Sequence, residues 1–189
     1  NNVASILSKI DKPVITYGIE SQNLDIKAEN LHQENGTISF DVKVKDQIFS
    51  VNLSVPGKYN AYNALAALSV CETMGIDLES ACKALSNFSG VKRRFDIKAN
   101  KDIMIIDDYA HHPVEVQNVI ETVKSNWNKN LNVIFQPHLF SRTKEFYKDF
   151  AKALMIADNV MITEIFASRE KEDNSTTSDL IINEMLKLN

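Results

Sequence analysis

The sequence predicts an α/β chain in two parts, and three features carry that prediction. Residues 13–53 alternate apolar and polar side chains between turn residues, the pattern of an antiparallel meander. Residues 56–85 switch to a helical period. Beyond residue 90, short apolar runs alternate with amphipathic segments, the order of βα units around a parallel sheet.

The elements follow in order. KPVITYG (12–18) is a short β-rich run closed by Gly18, and residues 25–55 are broken at Glu34-Asn35-Gly36 and at Lys45-Asp46-Gln47. PGKYNAYNALAALSVCETMG (56–75) brings Ala61, Leu65, Leu68 and Met74 near one helical period, and Gly75 is a natural C-terminal stop. Asp77 is a good N-cap for a second helix running to about Leu85. SNFSG (86–90) has loop composition and marks the domain boundary, giving domains 1–89 and 90–189. In the second domain the expected strands are 102–107, 131–136 and 159–165. The expected helices are 113–127, 142–157 and a last one near 177–188.

A formal net charge of −4 gives no electrostatic footprint for nucleic acid or an anionic membrane surface. No run approaches the roughly 20 apolar residues of a membrane helix. NNVASILSKI lacks the charged start and apolar core of a signal peptide, so a cytoplasmic protein without membrane insertion is expected. Cys71 and Cys82 form no C-x-x-C pair and read as buried thiols.

Chemistry collects at the ends of the second domain's strands: DDYAHHP (107–113), QPHLFSRT (136–143) and TEIFASREKED (163–173). Ligands of open parallel sheets bind beyond the C-terminal strand ends, so three polar ends in succession predict one shared cleft. His111, His112 and His138 are three of the four histidines and all fall there, while His32 lies in the meander as a surface residue. Pro113 suits the first helical position. Asp107 and Asp108 can accept from ligand hydroxyls or cap the loop, and Tyr109 can line the cleft or pack on the next strand. Three imidazoles could ligate zinc, but no cysteine or H-x-E motif accompanies them, and no metal site is assigned. GVKRRFDI (90–97) reads either as a phosphate-binding fork or as a solvated basic turn. Asn60 and Asn63, three apart on one helix face, match an adenine edge or a helix cap. No G-x-x-x-x-G-K-[ST] loop is present: Asn52 stands at the first glycine and Tyr59 follows Gly57-Lys58.

Taken together, PGKYNAYNALAAL, GVKRRFD, DDYAHHP and QPHLFSRT resemble the Mur ligases of peptidoglycan synthesis, and the similarity runs from KPVITYG to ASREKED. DYAH alone marks a wider superfamily that includes folylpolyglutamate synthetase; the doubled histidine with QPH…SRT resembles the alanine-adding branch. The resemblance implies that 1–89 is the later part of a central ATP-binding domain and 90–189 much of a C-terminal Rossmann-like amino-acid-binding domain. It further implies a UDP-sugar domain, a phosphate loop and Mg2+ ligands before residue 1, and continuation past Asn189. A piece of a ligase, inactive by itself and dependent on the remaining domains of the same polypeptide, is therefore expected.

The implied reaction uses ATP and Mg2+: the carboxylate of UDP-N-acetylmuramate attacks the γ-phosphate, and the amine of L-alanine then displaces phosphate from the acyl phosphate. Such chemistry rests on positioning and charge stabilisation. By resemblance Asn60 and Asn63 contact adenine with Tyr59 beside them, Asp108 binds the ribose, and Arg94 approaches the terminal phosphates in a catalytic role. Tyr109, His111, His138 and Arg142 form the alanine site, with Arg142 on its carboxylate. Leu139 departs from relatives that carry arginine there, and Glu164, Arg169 and Glu170 receive no role. Two rivals stand beside this reading: a sibling ligase that attaches a peptide to the same sugar, and a non-catalytic nucleotide-binding module.

Overall fold

A computed structural model describes residues 4–188 of the chain. Its contacts separate two compact units, one of Asn1–His32, Thr37–Ser54 and Lys58–Phe88, the other of Gln33–Gly36, Val55–Gly57 and Ser89–Asn189.

In the first unit a 3-10 turn (Ala4–Lys9) precedes a four-stranded sheet ordered β1 (Tyr17–Gly18), β2 (Ile26–Glu34), β3 (Thr37–Val44), β4 (Gln47–Leu53). Asn35 (φ 51°) and Gly36 (φ 80°) are both left-handed, as a two-residue hairpin turn requires, which is why Asn-Gly stands there. β3 and β4 pair antiparallel from Ile38–Leu53 to Val44–Gln47. Strict alternation turns Ile38, Phe40, Val42 and Val44 inward. Outward-facing Asp41 accepts from Asn30 (2.8 Å) and Ser50 (2.9 Å). The expected strand 12–18 shrinks to two residues, which pair in parallel with Ile26 and Lys27. Upstream of them Pro13 brings no donor, and Asp25 takes both the backbone and hydroxyl of Thr16 (2.8 and 2.7 Å) in place of a ladder.

Helix α1 (Lys58–Thr73) buries Ala61, Ala64, Leu65 and Leu68. Met74, expected on that face, is 68% exposed, because the helix ends at Thr73 and Gly75 (φ 69°) reverses the chain. Helix α2 (Leu78–Ser86) starts as expected at Asp77, whose carboxylate accepts from Ser80 N at 2.8 Å, and it buries Leu78 and Cys82. Both thiols are free; Cys71 is half-buried, not buried, and burial pushes the Cys82 thiol up.

The second unit runs β5 (Asp96–Asn100), β6 (Met104–Asp107), α3 (Pro113–Asn126), β7 (Asn132–Phe135), α4 (Phe140–Leu154), β8 (Asn159–Ile162) and α5 (Asp179–Leu188). The α/β class stands: β7 and β8 are parallel across the α4 crossover. The three expected strands do not all share one ladder, however. β6 pairs antiparallel with β5, a strand not anticipated because the polar run DIKAN follows a basic turn. Phe135, Val116, Ile120, Phe150, Leu154 and Ile181 form a core joined by Val133, Val160 and Ile162, so α3, α4 and α5 all pack on it. With period two, the paired Ile134 and Met161 point the other way and are 74% and 62% exposed. All three strands stop at or before the polar stretches, the first two of which run as loops into the N-termini of α3 and α4.

Candidate functional site

The loop between β6 and α3 is organised by Asp108. Its two oxygens accept from the backbone N–H of Phe95 and of Ala110, each at 2.7 Å. That grip holds Phe95 in a left-handed conformation (φ 48°), with its ring stacked on Trp127 at 6.0 Å. Asp108 thus serves the loop first, and any ligand hydroxyl would share its remaining lone pairs. Asp107 lies 3.9 Å from Arg93 Nε.

The basic turn is not simply solvated. Tyr109 N donates to Arg93 O (2.9 Å), and the guanidinium carbons of Arg93 and Arg94 lie 4.8 and 5.7 Å from the Tyr109 ring centre. The electron-rich ring face attracts both cations. Tyr109 in turn meets His111 edge-on at 5.2 Å, and His111 lies 5.9 Å from His138.

Glu115, one turn into α3, receives the backbone N–H of both His111 (3.0 Å) and His112 (3.1 Å). A histidine at the N-cap followed by glutamate three residues later is a variant of the capping box, a local signal available in the sequence. Burial works against the Glu115 charge, but these hydrogen bonds together with His111 and Arg94 hold its carboxyl below the ordinary value. His112 caps the helix and packs on Phe146 at 5.0 Å, a structural position, and Pro113 opens α3 as expected.

At the next strand end, Leu139 N donates to Phe166 O (3.0 Å) and Phe166 N to Pro137 O (2.8 Å), tying the loop after β7 to the loop after β8. Arg142 Nη1 lies 3.3 Å from His138 Nδ1. Guanidinium only donates, so His138 Nδ1 is the acceptor and its proton sits on Nε2. Burial first, then Arg142, His111 and Arg169, lower the His138 pKa, which keeps the imidazole neutral. Glu170 receives Ser141 N (3.1 Å) and the Ser141 hydroxyl, and those bonds hold its carboxyl below the ordinary range. The sequence carries no local signal for this pair, which is 29 residues apart.

Four non-glycine residues of these loops are left-handed: Arg93 (φ 60°), Phe95 (48°), Leu139 (74°) and Ser168 (54°). Such strain persists only where surrounding contacts over-determine it, and it concentrates at ligand sites. The second unit therefore brings Arg94, Tyr109, His111, His138 and Arg142 into one run of neighbours, with Asp108 at its base. Asn60, Asn63 and Tyr59 belong to the first unit, in the opening turns of α1, where Asn63 Nδ2 donates to Asn60 Oδ1 at 3.2 Å. Among the described residues no group of three or more His, Cys, Asp or Glu side chains could hold a metal ion. No helix among them is long and apolar enough to cross a membrane.

Two family models match the chain. The family described as "Mur ligase, glutamate ligase domain" matches residues 93–188, and "Mur ligase middle domain" matches residues 1–71. The UDP-N-acetylmuramate–L-alanine ligase of Clostridium tetani is 38% identical, over 100% of this chain and 41% of the relative. That of Alkaliphilus metalliredigens is 40% identical, over 96% of this chain and 40% of the relative. The chain thus spans about two fifths of the length of these curated relatives. Among solved structures, the UDP-N-acetylmuramate–alanine ligase of Thermotoga maritima superposes with a TM-score of 0.75 at 32% identity, over 92% of this chain and 37% of that one. A murein peptide ligase from Psychrobacter arcticus shares the fold at a TM-score of 0.67 and 24% identity, over 98% of this chain and 38% of that one. One family profile covers half of the chain and the other most of its first unit, so this chain belongs to the Mur ligase family.

Proposed function

We propose that this chain is the nucleotide- and amino-acid-binding part of an ATP-dependent ligase that joins L-alanine to UDP-N-acetylmuramate in the cytoplasm. The observation that carries the reading is the run Arg94–Tyr109–His111–His138–Arg142, a line of cationic and aromatic groups at the strand ends. Arg142, oriented by His138, takes the alanine carboxylate with the planar fork that suits it. Arg94, steadied over Tyr109, stabilises charge on the transferring phosphoryl group. The Asn60–Asn63 amide pair supplies the donor and acceptor that an adenine edge needs, with Tyr59 alongside. Asp108, with lone pairs left after its two backbone bonds, takes the ribose hydroxyls. The resemblance to the Mur ligases puts the Mg2+ ligands in other domains of the same polypeptide, and no step here depends on them. On this division the first unit closes a central ATP-binding domain, and residues 90–189 form most of the amino-acid-binding domain.

The test uses the complete enzyme, with ATP turnover followed against L-alanine and against a tripeptide. Arg142→Ala should raise KM for alanine while ATP binding changes little, and Arg94→Ala should mainly lower kcat. Turnover with the tripeptide and none with alanine would overturn the assignment in favour of a peptide-adding ligase. Equal effects of both variants on alanine affinity would refute the division of roles.

A further inference from the structure

We infer that Glu115 is a positioning residue that fixes His111 in a single tautomer, leaving its Nε2 lone pair to take the proton released by the incoming amine. The inference rests on the ligase reading for the identity of the amine, but the tautomer follows from geometry alone. His111 Nδ1 lies 2.8 Å from the Tyr109 carbonyl oxygen. A carbonyl can only accept, so Nδ1 carries the hydrogen, and in a neutral imidazole the lone pair must then sit on Nε2. An unconstrained histidine favours the opposite arrangement, so the loop inverts the default.

Glu115 is what makes the inversion firm. One of its oxygens, Oε2, receives the backbone N–H of His111 (3.0 Å) and of His112 (3.1 Å) and stands 3.5 Å from His111 Nδ1. Two of these contacts fix the backbone from which the imidazole hangs, and the third places a negative charge beside the protonated nitrogen. A carboxylate holding one ring nitrogen of a histidine while the other does chemistry is a general device for orienting a base. Also near His111 are Tyr109 at 5.2 Å and His138 at 5.9 Å, the latter backed by Arg142, while Arg94 acts on the same Glu115 carboxylate.

The step balances as follows. The neutral amine of alanine attacks the carbonyl carbon of the acyl phosphate, forming the C–N bond. The positively charged nitrogen of the adduct gives one proton to His111 Nε2. The C–O bond to phosphate then breaks, and phosphate leaves with the electron pair. The resulting imidazolium, with Glu115 beside Nδ1, later returns its proton to solvent. A positioned base of this kind contributes on the order of 10²–10⁴-fold.

The first test needs no activity. Nitrogen-15 NMR of the histidine side chains in the complete enzyme should show His111 with Nδ1 protonated and Nε2 bare. In Glu115→Gln, which keeps an acceptor for the backbone N–H groups but loses the charge, His111 should shift toward the Nε2–H form while the backbone amide spectrum stays folded. Finding Nε2–H in the parent enzyme would overturn the inference without any variant. An unchanged tautomer in a folded Glu115→Gln would reduce Glu115 to a helix cap and equally overturn it. In the complete enzyme, Glu115→Gln should lower kcat roughly 10- to 100-fold with KM for alanine nearly unchanged. An unchanged kcat refutes the positioning role. If the parent enzyme turns over no alanine, the ligase reading fails instead, and the tautomer result stands by itself.

Discussion

Removing the Asp108 carboxylate should destabilise the second unit before it affects any ligand. Its two oxygens accept backbone N–H groups at 2.7 Å, from Phe95 and Ala110, and Phe95 is a buried, left-handed residue that has few other ways to satisfy its donor. Hydrogen bonds to a charged acceptor contribute about 1.5–3 kcal/mol each, and water reaches this half-buried carboxylate, so the pair is worth about 2–4 kcal/mol. Asp108→Ala should lose that amount. Asp108→Asn keeps one acceptor oxygen but turns an amide N–H toward the other donor, and should lose about half of it or more. Trp127, the only tryptophan, stacks on Phe95 at 6.0 Å, so its fluorescence reports directly on this grip during urea unfolding. With a denaturant slope of roughly 1–2 kcal/mol per molar, the Asp108→Ala midpoint should fall by about 1–4 M. A midpoint within about 0.3 M of the parent would refute the reasoning, since the carboxylate would then contribute little to the loop and be free for a ligand.

The same urea titration separates the two sides of β7 and β8. Phe150→Ala, in a fully buried position, should cost about 3–5 kcal/mol. Ile134→Thr, on the exposed side, should change stability by less than about 0.5 kcal/mol; a larger loss would mean that this face is covered in solution. Stability should also fall with acid in two stages. The His138 pKa lies below 6.5 in the folded chain, so the unfolded chain takes up the proton first. Stability therefore declines as pH drops below 6.5, until the folded imidazole also protonates, and His138→Asn should remove that stage. Glu115 lies below 4.5 in the folded chain, so its contribution is complete above 4.5 and is lost as pH falls through the folded value. Glu115→Gln should make this second stage shallower, its remainder coming from Glu170 and the other hydrogen-bonded carboxylates, and urea midpoints measured across the acid range check both.

Much of the fold was legible because its signals are local. Period two gave β3 its inward Ile38, Phe40, Val42 and Val44, and the helical period placed Leu65 and Leu68. Asp77, Gly75 and Pro113 marked helix ends through dihedral and capping preferences that act within one turn. The three polar strand ends, and the motifs that resemble the Mur ligases, could likewise be read from neighbouring residues. The tertiary structure alone decided which groups meet. Asp108 reaches Phe95 across 13 residues and Ser141 reaches Glu170 across 29, and no periodicity encodes such distances. It also decided that β6 pairs with the unforeseen β5, that Met74 turns outward, and that His111 Nδ1 meets the Tyr109 carbonyl. Local propensity chooses the type of each element, whereas a side chain's partner depends on where folding brings the loops together. A sequence can therefore mark DDYAHHP as a candidate site, while only the folded loop brings the His111 ring nitrogen to the Tyr109 carbonyl and to Glu115.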